Sequence, residues 1–369
     1  MDSFKGCLTS AQANEAAEAG VHDILPDAKI IKISVSDGGE GLLDVVKNTL
    51  HATEVTAPAH DPLMRLMKGV YAISEDRKTA FIELASVNGL TLLTKTERNP
   101  WITTTFGTGE LILDALERGC RQFIIGIGGS ATNDAGIGLL QAIGFNFLDD
   151  KGQVLGQGGN ILEKIAMIEF SKVYPAVKDS RFIIACDVKN PFCGKMGAAY
   201  IFGPQKGADE IMVKRLDNGL QVLSKVIVNI TGKDIARLPG AGAAGGTGGS
   251  LYAFLDAKLK SGINLLLDLV HFDELIKDAD LVITGEGSAD SQTLMGKVPS
   301  GILNRTQKVH VPTVLLAGKV KDEEMLLKAG FKRIFCINPP NLIKTQMILP
   351  TIAEENIRQT VIYLIQNLK

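Results

Sequence analysis

Nowhere in the 369 residues do apolar side chains continue for the roughly 20 positions that a bilayer-crossing helix needs. The opening Met1-Asp2-Ser3-Phe4-Lys5-Gly6 has no apolar targeting core behind it, so a cytoplasmic protein is expected. Cysteine is scarce. Cys7, Cys120, Cys186, Cys193 and Cys336 are odd in number and never spaced Cys-x-x-Cys, which argues against a disulfide framework and a zinc site and fits a reducing compartment. Charge of one sign is lacking too: a formal net charge of −2 leaves no field to gather nucleic acid or anionic lipid. No Gly-x-x-x-x-Gly-Lys-Ser/Thr occurs, so this is not a P-loop enzyme. His22, His51, His60, His271 and His310 show no metal-ligand spacing and are given no role.

What remains is an ordinary globular composition, 45% hydrophobic and 22% charged, in a chain long enough that two domains are the better expectation. Its most informative feature is where the glycines fall. They collect where apolar, β-branched runs end, each time beside a carboxylate or hydroxyl. Residues 30–35 run into Ser36-Asp37-Gly38-Gly39-Glu40-Gly41, 123–127 into Gly128-Gly129-Ser130-Ala131-Thr132-Asn133-Asp134, and 281–283 into Thr284-Gly285-Glu286-Gly287. Glycine lets backbone N–H groups approach an anion that a Cβ would hold away.

A capping-box pattern at Thr9-Ser10-Ala11-Gln12 opens an alanine-rich helix over 11–25. A strand is predicted over 29–35 and a helix over 39–50, then short strands at 53–56, 69–73 and 79–82 in what looks like mixed sheet. Helices follow at 109–116, 134–143 and 208–230, with strands at 123–127 and 182–186. Beyond residue 280 the alternation is clean: strands 281–283, 313–316 and 333–337, helices 299–305, 322–329 and 346–368. Alternation at this spacing implies a doubly wound parallel sheet with ligands outside the carboxyl ends of its strands. Because the clean pattern lies at both ends, one domain is expected from the two termini (1–56 and 266–369) and a second, mixed α/β domain between them (57–265), with the site in a cleft between the two.

Residues 126–134 are the stronger phosphate candidate, since they join a buried strand to a helix and set Ser130, Thr132 and Asn133 at the helix entrance; the plainer account is a helix cap. Gly240, Gly242 and Gly245 spell Gly-x-Gly-x-x-Gly without a clear strand before them or an acidic residue about twenty positions later. A dinucleotide site is disfavoured there, while an anion-binding loop and a tight turn stay about equally open. Carboxylates recur at the loops: Asp2, Asp37, Glu40, Asp134, Asp187, Glu286 and Asp290. Phosphoryl transfer from ATP uses such oxygens for Mg²⁺ and as a base, though most loop carboxylates simply satisfy backbone N–H groups. Asp187 ends an apolar strand and precedes Asn190-Pro191, which makes it the candidate base. Lys5 and Lys206, set among glycine and proline, suit a carboxylate or phosphate.

Many ordered blocks now converge. Asp2-Ser3-Phe4-Lys5-Gly6, Asp37-Gly38-Gly39-Glu40-Gly41, Gly107-Thr108-Gly109-Glu110, residues 128–134, Cys186-Asp187-Val188 with Asn190-Pro191, residues 202–208, residues 240–246 and Thr284-Gly285-Glu286-Gly287 resemble those of the bacterial class I glycerate kinases along nearly the whole chain. The resemblance implies ATP-dependent phosphorylation of a hydroxyl of D-glycerate with Mg²⁺, 2-phosphoglycerate favoured over 3-phosphoglycerate. It also implies a flavodoxin-like domain of both termini around an inserted mixed α/β domain. The corresponding assignment has Asp187 and Lys206 catalytic, and Gly128, Gly129, Ser130, Thr132, Asn133, Gly242, Gly245 and Gly246 on the nucleotide. Ser3, Lys5, Asp37 and Gly38 are placed on the substrate, and Asp37, Glu286 and Asp290 on the metal side. Two departures stand out. Relatives carry an apolar strand and a proline before the Asp-Ser-Phe-Lys-Gly block, so a first strand is expected to be missing, from a misplaced start or in a chain of impaired stability. Ser288 stands where relatives often have arginine, which puts one phosphate clamp in question. The alternatives are an inactive relative that binds a hydroxy acid, or a kinase for another small hydroxy acid such as tartronate; self-association is left open.

Overall fold

The computed structural model describes residues 1–4, 6–35, 41–339 and 349–367. It divides into two units, one of residues 1–37 and 263–369, the other of 38–262.

In the unit 38–262 the β-branched and aromatic runs form β1 (Thr53–His60), β2 (Leu66–Ile73), β3 (Thr79–Glu83), β4 (Gln122–Gly126), β5 (Asn146–Leu148), β6 (Met167–Glu169), β7 (Arg181–Ala185) and β8 (Lys258–Lys260). Six of them make one sheet in the order β1-β2-β3-β4-β7-β8, and β5 pairs β6 apart from it. The sheet is mixed: β1, β2 and β3 are antiparallel, β3, β4, β7 and β8 parallel. Phe123 on β4 lies opposite Phe182 on β7, and their rings stack at 4.9 Å. The same register sets Gly126 opposite Ala185, so the loops that begin at Ile127 and Cys186 leave from one edge of the sheet. That edge carries the candidate site.

The helices are Phe106–Glu117, Ile137–Ala142, Glu210–Thr231 and Thr247–Leu255, with shorter turns between. The long one starts where Asp209 accepts from Met212 N–H, a conventional N-cap. The helix expected over 134–143 starts instead at Ile137. Ala135 and Gly136 are left-handed, with φ of 55° and 72°, so the loop from β4 continues three residues further than apolar periodicity suggests.

In the other unit, β9 (Val282–Glu286), β10 (Thr313–Ala317) and β11 (Arg333–Cys336) form a parallel sheet with β10 central. All five β10 residues are buried because the sheet is covered on both faces. Val314 and Leu316 pack with Phe4, Leu8, Ala13, Ile357 and Val361, on the side of helices Ser10–His22 and Pro350–Gln366. Leu315 and Ala317 pack with Leu303, Leu326 and Phe331, on the side of Val298–Lys308 and Glu323–Ala329. The capping box read at Thr9 and Gln12 is formed. The strand expected over 29–35 is not: the described part of that stretch makes no ladder, and its tethers are the side chains of Asn14 on Ile33 O and Ser10 on Val35 N–H. An apolar run becomes a strand only when a neighbour takes its backbone hydrogen bonds. The first residues of the helix expected over 346–368 lie outside the described residues, and its described part is Pro350–Gln366. Among the described residues no helix is long and apolar enough to cross a membrane.

Candidate active site

The loop after β4 is held in place by other segments of its own unit. Gly129 adopts φ 69°, Leu90 N–H donates to Gly129 O at 2.8 Å and Ala131 N–H to Asn88 O at 2.9 Å. Thr103 Oγ1 donates to Ala131 O at 2.9 Å. Asp134, wholly buried, takes Thr105 N–H and Thr105 Oγ1 at 2.8 Å each, with Gly136 and Gly138 N–H at 3.1 and 3.2 Å. Burial pushes the Asp134 carboxyl up from its ordinary range, and the four donors pull the other way. Asp134 is thus the clamp that folds residues 134–138 back onto the threonine turn.

Into this loop comes Lys206. The turn Pro204–Lys206 ends at Gly207, φ 96°, and directs the ammonium to Ser130 Oγ at 2.7 Å and Thr132 O at 2.6 Å. Lys206 is only 2% exposed. Burial lowers its pKa to about 7, and the Asp134 charge offsets part of that. Beside it Thr132 and Asn133 are fully buried, yet Thr132 Oγ1 and both polar atoms of the Asn133 side chain have no partner. Buried polar atoms are rarely left unpaired in native proteins, and three lie together here.

The glycine segment 240–246 spans from this loop to the one after β7. A methyl group added at Gly245 would lie 2.2 Å from Thr132 O and 2.5 Å from Asn133 Cα, and Ala135 N–H donates to Gly245 O at 3.0 Å. Gly246 abuts Ala135 and Phe192. Gly242 N–H donates to Asn190 O at 3.0 Å, and a methyl group there would be 2.1 Å from Pro191 O. Asp187, exposed at the end of β7, accepts Gly262 N–H at 2.9 Å. Gly128, Gly129, Ser130, Thr132, Asn133, Lys206, Gly245 and Gly246 therefore share one locale, while Asp187 lies three residues before Asn190, whose carbonyl accepts Gly242 N–H.

In the other unit, Asp2 N–H donates to Gly285 O at 2.9 Å and Ser3 N–H to Asp2 Oδ1 at 2.7 Å. Glu286, nearly buried, takes Thr293 Oγ1 at 2.5 Å on one oxygen and Lys297 Nζ at 3.4 Å on the other, and burial raises its pKa. Asp290 caps the turn Ser291–Leu294 by accepting Gln292 N–H. Lys5, Asp37 and Gly38 lie outside the described residues. Among the described residues no three His, Cys, Asp or Glu side chains gather as a metal cage. Mg²⁺ does not need one: it keeps several waters and takes one or two carboxylates besides phosphate oxygens. The Glu286 oxygen that meets only the long Lys297 contact fits that demand.

Sequence reading passed over Thr103 and Thr105, which hold the loop, and Asn88, whose Oδ1 accepts both Thr108 N–H and Oγ1. The available signal was three successive threonines just ahead of a helix, a density of hydroxyls that favours local bonding to backbone.

The chain matches the glycerate kinase family over residues 1–369. It is 43% identical over 339 residues to a glycerate kinase of Halalkalibacterium halodurans, covering 92% of this chain and 89% of that one. With the glycerate 2-kinase of Escherichia coli the identity is 45% over 322 residues, 87% of this chain and 84% of the relative. A Salmonella typhimurium LT2 protein crystallised as glycerate kinase 2 superposes with a TM-score of 0.88 at 39% identity, covering 100% of this chain and 96% of that one. The chain is a mixed α/β enzyme, a kinase. It belongs to the glycerate kinase family.

Proposed function

We propose that the protein transfers the terminal phosphoryl group of ATP to a hydroxyl of D-glycerate. The observation that carries this is Lys206: a buried ammonium seated on the loop after β4, beside the unpartnered side chains of Thr132 and Asn133. An anion placed there gains a positive charge and two waiting donors, the Thr132 hydroxyl and the Asn133 amide N–H₂. Gly128, Gly129, Gly242, Gly245 and Gly246 are the nucleotide-side backbone of this reading; the missing Cβ at Gly242, Gly245 and Gly246 lets that segment close on residues 132–135 and 190–192. Asp187 receives the hydroxyl proton, which its exposed position at the end of a rigid strand allows. Lys206 balances charge on the transferring group, and Lys5 with Ser3, Asp37 and Gly38 holds glycerate.

Phosphoryl transfer is catalysed chiefly by positioning and charge stabilisation, and bound Mg²⁺ supplies neutralisation of the phosphate oxygens. Glu286, Asp290 and Asp37 are the metal-side carboxylates of this reading. The name of the Escherichia coli relative favours 2-phosphoglycerate over 3-phosphoglycerate. We also read the unit with β9, β10 and β11 as flavodoxin-like, supported by its parallel strands with helices on both faces.

A coupled ADP-release assay with ATP, Mg²⁺ and D-glycerate, with the product ester placed by phosphorus NMR, tests the function. Turnover with a phosphoester at carbon 2 is expected. Folded protein that releases no ADP would overturn the kinase reading, and turnover confined to tartronate would move the substrate.

A further inference from the structure

Among the described residues Arg98 has no ion-pair partner. Its Nε is shut off from solvent and has no acceptor, and among the described residues the side chain makes no hydrogen bond or ion pair. Neighbouring arginines behave otherwise: Arg65 is paired with Asp61 and Glu97, and Arg215 with Glu163 and the Trp101 ring. Lysine can escape burial by losing its proton, but a guanidinium keeps its charge at any physiological pH. The buried Arg98 Nε is a donor with no acceptor among the described residues, and such a donor is costly unless something outside the chain accepts its hydrogen.

Its position says what that is. Arg98 packs directly on the turn that delivers Lys206: a methyl group at Gly207 would be 2.1 Å from Arg98 O and 3.1 Å from Arg98 Cβ. The next residues run along the anion loop. Pro100 O and Asn133 O both close on Gly159, at 2.6 and 2.9 Å from a methyl group placed there, and Thr103 Oγ1 bonds Ala131 O. Arg98 thus flanks the same loop whose Thr132 and Asn133 side chains lack partners.

We propose that Arg98 is a further anion-holding residue of this site, its guanidinium taking an oxyanion, carboxylate or phosphate, beside Lys206. The planar fork of arginine matches either oxyanion with two parallel hydrogen bonds, which the Lys206 ammonium cannot do. The inference rests on the phosphoryl-transfer reading for the identity of the anion, while the site itself is tested without turnover.

Arg98→Met and Arg98→Lys are compared with wild type in two measurements. The first is the rise in thermal midpoint produced by D-glycerate and, separately, by tripolyphosphate, with no reaction running. The second is the KM for each substrate with kcat. Arg98→Met is expected to keep or raise the midpoint of the ligand-free protein, since it removes a buried donor without an acceptor, and to lose most of the rise from one of the two anions. The matching KM should increase at least about tenfold, with Arg98→Lys recovering part of it. A loss confined to D-glycerate assigns the carboxylate, and one confined to tripolyphosphate assigns the phosphates. If both rises and both KM values stay within twofold of wild type, or if ligand-free Arg98→Met melts far lower, Arg98 is structural and the proposal fails. Wild type that shows an anion-induced rise without turnover refutes the kinase reading alone.

Discussion

Lys206 Nζ lies 2.7 Å from Ser130 Oγ although 76 residues separate them, and neither this hydroxyl nor the Thr132 carbonyl beyond it carries a charge. On the proposed function, this buried ammonium met only by neutral acceptors is the group that takes the anion. Burial lowers its pKa to about 7 from the usual 10.5, with the Asp134 charge pulling the other way.

The first prediction concerns pH. Between pH 7 and 10.5 the unfolded chain binds the Lys206 proton more tightly than the folded one, so this group makes stability rise with pH across that window. The thermal midpoint of ligand-free wild type, relative to Lys206→Met, should therefore climb from pH 7 to pH 9. Binding runs the other way, because only the charged form attracts phosphate. The KM for ATP should increase above neutral pH, and Lys206→Arg should move that limb upward. Parallel midpoint profiles for wild type and Lys206→Met would show that Lys206 does not titrate there.

A second prediction separates backbone strain from close approach. Gly245 and Gly232 are both left-handed, with φ of 67° and 72°, but a methyl group meets Thr132 O at 2.2 Å in the first case and open space in the second. Gly232→Ala should cost about 1 kcal/mol, the conformational term alone. Gly245→Ala should cost roughly 2 to 4 kcal/mol and lower kcat/KM as well, because the loop that must shift carries Thr132 and Asn133. Urea unfolding of the two variants, with kinetics, gives the comparison; equal costs and unchanged kinetics would dismiss the packing argument.

The third prediction addresses the base. Asp187→Asn keeps an acceptor for Gly262 N–H and should leave stability nearly unchanged, while kcat falls about 10²- to 10⁴-fold with little change in KM. Steady-state kinetics with D-glycerate decide it. A kcat within a few-fold of wild type removes Asp187 from the proton transfer.

Much of this was legible in the residues themselves, for identifiable reasons. Strands such as β4 and β10 are continuous apolar runs because both of their faces are covered, and that pattern is local. The glycines at 128–129 and 240–246 announce backbone that must pass close to something. Residues 29–35 have the same apolar look as β4, yet they make no ladder, because whether a strand forms depends on what lies beside it. Asp134, read as one loop carboxylate among several, is the clamp that sets where the helix after β4 begins.

From the sequence alone come the family, the alternation of strands and helices, the capping of Ser10–His22 and the positions where glycine relieves steric conflict. These rest on side-chain identity and short-range spacing. Tertiary structure alone decided that Lys206 would be buried on Ser130, that Gly245 would press against Thr132, that the Asn133 side chain would be left without partners and that Arg98 Nε would find no acceptor among the described residues. Burial and pairing are properties of what surrounds a group, and here those surroundings are brought by segments tens of residues away along the chain.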